Sequence, residues 1–219
     1  MRRATLKRIG VVVPILACVI GMQLSAAPLI TFNEATGGSG ANQNQSVGWS
    51  FNVLNSIAIN ALGWYDQGQD GLAVAHTVGI WNSGGTLLAS MVVPNGTTGT
   101  LIGLYRTASI TPITLNPGTG YVVGGENFGT SADRLASNVS QTVDPNIVYV
   151  NARFSNIGSG FVDPTQTSIA TTGFYGPMAF TATVAAVPEP ATLGVAGLGL
   201  LMVALVRSRR RRTGGPGRA

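Results

Sequence analysis

Asp66 and Asp70, with Gly68 between them and Gly71 behind, come closest to a site in residue type and spacing. Carboxylates on a glycine-rich loop suit Ca2+, which takes roughly six to eight oxygen ligands held on a sharply turning chain. The spacing is not that of an EF-hand, whose loop places more carboxylates at its start and closes with a bidentate Glu. The plainer reading is a solvated turn in which Asp and Gly satisfy local backbone geometry, and the sequence favours it. No residue pattern identifies a metal. His76, the single histidine, begins a strand just after this loop. Without Cys or a second His it makes a poor zinc site, so a hydrogen-bonded histidine at a strand end is expected.

Aromatic residues raise a second possibility, stacking on sugar rings. Tyr65 opens the Asp loop and Trp81 borders the Asn82-Ser83-Gly84 turn, so either could present a ring to a ligand. Packing within a core is the commoner use of such residues, Trp49 and Trp64 included. Phe154, Phe161, Phe174 and Tyr175 lie in a loop-rich stretch, and loops on a rigid scaffold often carry binding. Catalytic signals are weak. Ser159 in Gly158-Ser159-Gly160 lacks the strand-turn-helix context of a nucleophile elbow. A glycosidase needs two acids at a defined separation; seven acids between Ala27 and Val187 leave that open, and nothing in their spacing supports it. No catalytic residue is assigned, and a non-enzymatic protein is expected.

The elements that would position these residues read as strands. Leu29 to Phe32 makes a first one, and Glu34 to Asn44 is a long Gly- and amide-rich loop. Val47, Trp49, Phe51 and Val53 alternate as one face of a half-buried strand. Ile57 to Trp64 reads as buried on both faces. His76 to Trp81 and Thr86 to Val93, joined by Ser83-Gly84-Gly85, form a hairpin. Leu101 to Leu115 holds one or two strands interrupted near Thr111-Pro112, followed by a turn at Asn116-Pro117-Gly118-Thr119. Tyr121 to Val123, Ile147 to Phe154 and Met178 to Val184 complete the set, while Ser131 to Thr142 leaves room for a helical turn. Short strands punctuated by Gly, Pro and Asn predict an all-β fold, an antiparallel β-sandwich of jelly-roll-like type, over residues 28–186.

The two ends carry different signals. Arg2, Arg3, Lys7 and Arg8 precede an uncharged run from Ile9 to Leu24 and the small residues Ser25-Ala26-Ala27, a signal peptide over residues 1–27. Cleavage is expected at about Ala26 or Ala27. A looser match to a lipobox at Ile15-Leu16-Ala17-Cys18 is the alternative. Cys18 is the only cysteine, so ordinary cleavage leaves no disulfide framework. At the other end, Pro188-Glu189-Pro190 is followed by the uncharged run Ala191 to Val206. Arg207, Arg209, Arg210, Arg211 and Arg212 then hold the segment's end on the cytoplasmic side. As a transmembrane helix, 191–206 spans about 24 Å, short for a hydrocarbon core of about 30 Å. Residues 213–219 are read as a disordered tail.

This C-terminal order, from Val187 to Arg212, resembles the PEP-CTERM sorting signal of Gram-negative bacteria. The resemblance implies recognition of Pro188, Glu189 and Pro190 by an exosortase, removal of the anchor and delivery to the surface or extracellular matrix. The stretch from Gln45 to Gly125 is also similar to a β-sandwich domain of unknown function recurrent in PEP-CTERM proteins. The similarity lies in ALGWYDQGQDGLAVAHTVGIWNSGGTLLAS and in PITLNPGTGYVVGG, which fits that family's hairpin. No activity comes with that family.

The formal charge of +5 is a property of the ends. Between Ala27 and Val187 stand Arg106, Arg134 and Arg153 against seven acids, a net −4 that leaves no nucleic-acid footprint. The expected protein is exported, with signal peptidase and exosortase as processing partners and the inner membrane as a transient one. It would serve a structural or exopolysaccharide-associating role. The rivals are a surface enzyme acting on matrix polysaccharide and an envelope protein that keeps its membrane anchor.

Overall fold

Runs rich in Val, Ile, Thr and aromatics, cut by Gly, Asn and Pro, form strands throughout. The computed structural model describes residues 24–33, 44–127, 133–168 and 172–184, which belong to one unit, Leu24–Val184. Among them are thirteen strands, numbered in chain order, and no helix. One sheet has the order β1 (Leu24–Pro28), β13 (Pro177–Val184), β4 (Ile57–Tyr65), β8 (Tyr105–Leu115) and β7 (Thr100–Ile102). The other runs β12 (Gln166–Thr167), β11 (Ile147–Phe154), β3 (Gln45–Val53), β9 (Gly118–Asn127), β5 (His76–Trp81) and β6 (Leu87–Val93). A short pair joins β10 (Gln141–Val143) to β2 (Ile30–Phe32). All pairings are antiparallel.

Both sheets bury residues in one cluster. Trp49 and Phe51 of β3 and Ile80 of β5 meet Ile59, Leu62 and Trp64 of β4 and Phe180 of β13. Such large rings contribute most of the buried apolar area of a core this size. The arrangement is a β-sandwich built on aromatic packing. Phe32 from the short pair stacks on Tyr175 at 5.4 Å and closes one side of the cluster.

Four details differ from the reading of the sequence. β3 is buried on both faces along nearly its whole length, and its outward Ser46 lies under the 155–162 loop. There Ser46 Oγ donates to the Gly160 carbonyl and accepts from Val162 N–H. Pro112 does not interrupt β8; the strand runs through it, and the register shift opposite Asn60 absorbs the missing N–H. The turn at Asn116-Pro117 is not a hairpin, since β8 and β9 belong to different sheets and the turn carries the chain across the sandwich. No helical turn occurs in 133–142.

The expected β5–β6 hairpin forms, its turn held by Asn82 Oδ1 accepting from Gly84 and Thr86 N–H. β1 includes Ala26 and Ala27, so cleavage there would leave only the end of that strand on β13. The expected helices at the N-terminus and over 191–206, the Pro188-Glu189-Pro190 motif, the arginine cluster and the 213–219 tail lie outside the described residues.

Candidate functional site

The Asp66–Gly71 loop is tied down from within. Asp66 is buried at the end of β4, and its carboxylate accepts from Gly71 N–H at 3.1 and 3.2 Å. Arg106 of β8 donates Nε–H to Asp66 Oδ2 at 2.7 Å, and its Nη2 reaches the Gln69 carbonyl at 2.9 Å. A cation at Asp66 would have to displace that guanidinium. Asp70 is exposed. Both residues border a cleft of about 270 Å3 together with Asp133 and Arg134, yet among the described residues no three His, Cys, Asp or Glu side chains converge as metal ligands. The turn is thus bonded to itself and to Arg106, with Asp66 buried where a solvated residue was expected and Asp70 alone exposed.

His76 starts β5 fully buried and lies flat on Trp64, ring centroids 3.8 Å apart and planes 4° from parallel. Its Nδ1 faces the Glu126 carbonyl at 2.9 Å and its Nε2 faces Asp133 Oδ2 at 2.8 Å. A carbonyl can only accept, so the hydrogen on that side belongs to Nδ1. Asp133 also accepts from Ala73 and Val74 N–H at 2.8 and 3.1 Å. His76 and Asp133 thus clasp the 73–76 segment to the 133–136 segment. Burial lifts the Glu126 carboxyl above its ordinary pKa, and His76 beside it pulls it partly back.

Neither aromatic proposed for sugar stacking is available. Tyr65 is 1% exposed and packs against Phe32 and Tyr105. Trp81 is 4% exposed and lies under Phe161, at 5.1 Å, on the outer face of the six-stranded sheet. Gly79 and Gly124, paired across β5 and β9, make room for this layer: a Cβ on Gly124 would stand 2.8 Å from Pro164 Cγ. A ring covered on both faces cannot stack on a ligand.

A second cleft, of about 530 Å3, opens beside the 133–136 segment, which contributes Leu135 to its wall. It continues the inner face of β3 and β11 past the end of the core, with Val47 opposite Phe154 and Phe154 opposite Gln166. Phe154, Ile157 and Phe174 line it together with the amides of Gln45, Asn156 and Gln166. Its lining among the described residues includes no Asp, Glu, Lys, Arg or His. Gln45, the first residue of β3, is 9% exposed, and its side-chain amide makes no hydrogen bond within the described residues but stays open to the cleft. Gln166 Nε2–H donates to Asn156 Oδ1, which leaves the Gln166 oxygen and the Asn156 N–H2 group unused. The wall is pinned by Ser155, whose Oγ accepts from Ser46 N–H at 2.8 Å and contacts Ser159 Oγ at 2.6 Å. Of this cleft, sequence reasoning had only Phe154 and Phe174, through their loop-rich setting. Uncharged amides carry no spacing signature, and nothing in the sequence singled out Gln45, Asn156 or Gln166.

A family model described as a domain of unknown function, DUF4082, matches residues 33–176. The chain belongs to the DUF4082 family. A model described as the PEP-CTERM protein-sorting motif matches residues 186–212 and marks the protein for exosortase sorting and export to the cell envelope or surface. No curated protein and no solved structure matches the chain. The DUF4082 match contains every residue of both clefts, and it is wider on both sides than Gln45 to Gly125. It stops before β13, the strand that joins β1 to β4.

Proposed function

We propose that this DUF4082 protein is delivered by exosortase processing to the cell surface or extracellular matrix, where its sandwich has a structural or exopolysaccharide-associating, non-enzymatic role. The sorting motif at 186–212, starting two residues after β13, carries this reading.

The non-enzymatic reading is supported by the state of the acids. Asp66, Asp70 and Asp133 do border one cleft, which is what a polysaccharide hydrolase would need. Two of the three are committed, Asp66 to Arg106 and Asp133 to His76. A glycosidase pair needs one carboxyl free to give a proton and another free to attack or to activate water.

The test is the intact mass of the protein recovered from its host, with both terminal peptides sequenced. A chain starting near Ala27 and ending near Val187 is expected. Recovery of the Arg209 to Arg212 peptide from mature protein would replace this reading with a permanently anchored one.

A further inference from the structure

We propose that the 530 Å3 cleft at the end of β3 and β11 is a binding site for an uncharged sugar residue. Its volume lies within the range of small-molecule sites, roughly 300–1,000 Å3. The proposal names the ligand class behind the exopolysaccharide-associating reading above and rests on it only for where the sugar would be met.

The first argument is Gln45. Gln45 lines the cleft, and its side-chain amide bonds to no group among the described residues while staying open to the solvent that fills the cleft. Its donor and acceptor therefore meet whatever enters. The second argument is the Asn156–Gln166 pair. The single bond between them fixes both amides and leaves one donor and one acceptor side by side. Neighbouring hydroxyls of a pyranose, each able both to donate and to accept, match that pair.

The third argument is the rest of the wall. Phe154, Ile157 and Phe174 offer apolar surface for the C–H face of a sugar ring. A purely apolar ligand would take the Gln45 amide out of water without giving it a partner. A charged one would lose its hydration with no counter-charge in the lining. An uncharged ligand with one apolar face and a rim of hydroxyls satisfies every group present.

The experiment uses the protein purified from its host in whatever processed form it occurs. Binding is followed by saturation-transfer NMR and titration calorimetry. The probes are glucose, galactose, mannose, N-acetylglucosamine and their disaccharides, with glucuronate as the charged control and decanoate as the apolar one. At least one neutral sugar should bind saturably and at least about tenfold more tightly than glucuronate, the factor that corresponds to one good hydrogen bond. Gln45→Leu should weaken that binding by about tenfold or more while the melting midpoint stays within error. Phe174→Ala should weaken it as well. Folded protein that binds none of the neutral sugars, binding that survives both substitutions, or preferential uptake of decanoate would each overturn the proposal. The mass of the same sample reports the tail separately. A retained arginine cluster with sugar binding intact would overturn the sorting reading and leave the cleft proposal standing.

Discussion

Two corners of the sandwich lie on either side of the 133–136 segment and use their polar residues in opposite ways. On one side Asp66, Arg106, His76 and Asp133 are ionisable, largely buried and bonded to one another or to backbone. On the other, Gln45, Asn156 and Gln166 are uncharged, and part of their hydrogen-bonding capacity is unused. A buried charge is tolerated only with a partner, so the residues that looked most chemical were absorbed into structure. An amide can be buried at smaller cost, which lets Gln45 remain open toward a cleft. Availability of a group decides whether it can serve a ligand, whatever its intrinsic reactivity.

The comparison breaks most readily at Arg106. Arg106→Met leaves the Asp66 carboxylate buried without its cation and should cost about 3–5 kcal/mol in urea unfolding. Gln45→Leu, which removes no bond, should leave stability unchanged. Equal stabilities for the two variants would end the distinction between the corners. A smaller loss, about 1–3 kcal/mol, is expected for Gly124→Val. The new methyl groups would meet Pro164 and Trp81, separating the covering loop from the sheet.

Tyrosine ionisation tests the aromatic core that both corners share. Burial pushes Tyr149 up to about 12 from 10.0. It also raises Tyr175, which donates to Gln141, and Tyr105, where neighbouring tyrosines add to the effect. The unfolded chain loses these protons first, so between pH about 10 and 12 the folded state holds more of them. Stability should therefore fall as pH rises through that window, and absorbance at alkaline pH should show these tyrosines titrating late. Normal titration of all five tyrosines in folded protein would contradict the packing described. The smallest effect belongs to Asp70. Asp70→Ala, or addition of Ca2+ or EDTA, should leave the melting midpoint unmoved, since a ligand bound only by the folded state must raise it.

Much of the fold was legible along the chain. The β5–β6 hairpin, the buried β4 and the absence of helix among the described residues follow from alternation, Gly-rich turns and β-branched composition. β3 was read as half-buried because alternation reports only the face a strand gives to the core. It cannot show that a loop more than a hundred residues later covers the other face at Ser46. The hairpin expected at Asn116-Pro117 came from the family resemblance; the residues themselves specify a turn, which fixes local backbone and not which sheet receives the next strand. The candidate site was barely legible. Tyr65 and Trp81 had the right type for stacking, and burial removed them.

By itself the sequence determined the all-β class and the sorting motif, which depend on local order: Pro-Glu-Pro, an apolar run and arginines in succession need no fold to be recognised. Only the tertiary structure decided which polar groups are spent and which are free. Arg106 reaches Asp66 across 40 residues, His76 meets Asp133 across 57, and the side-chain amide of Gln45 finds no partner among the described residues. Those outcomes depend on long-range pairing and burial, which neighbouring residues in a chain do not encode.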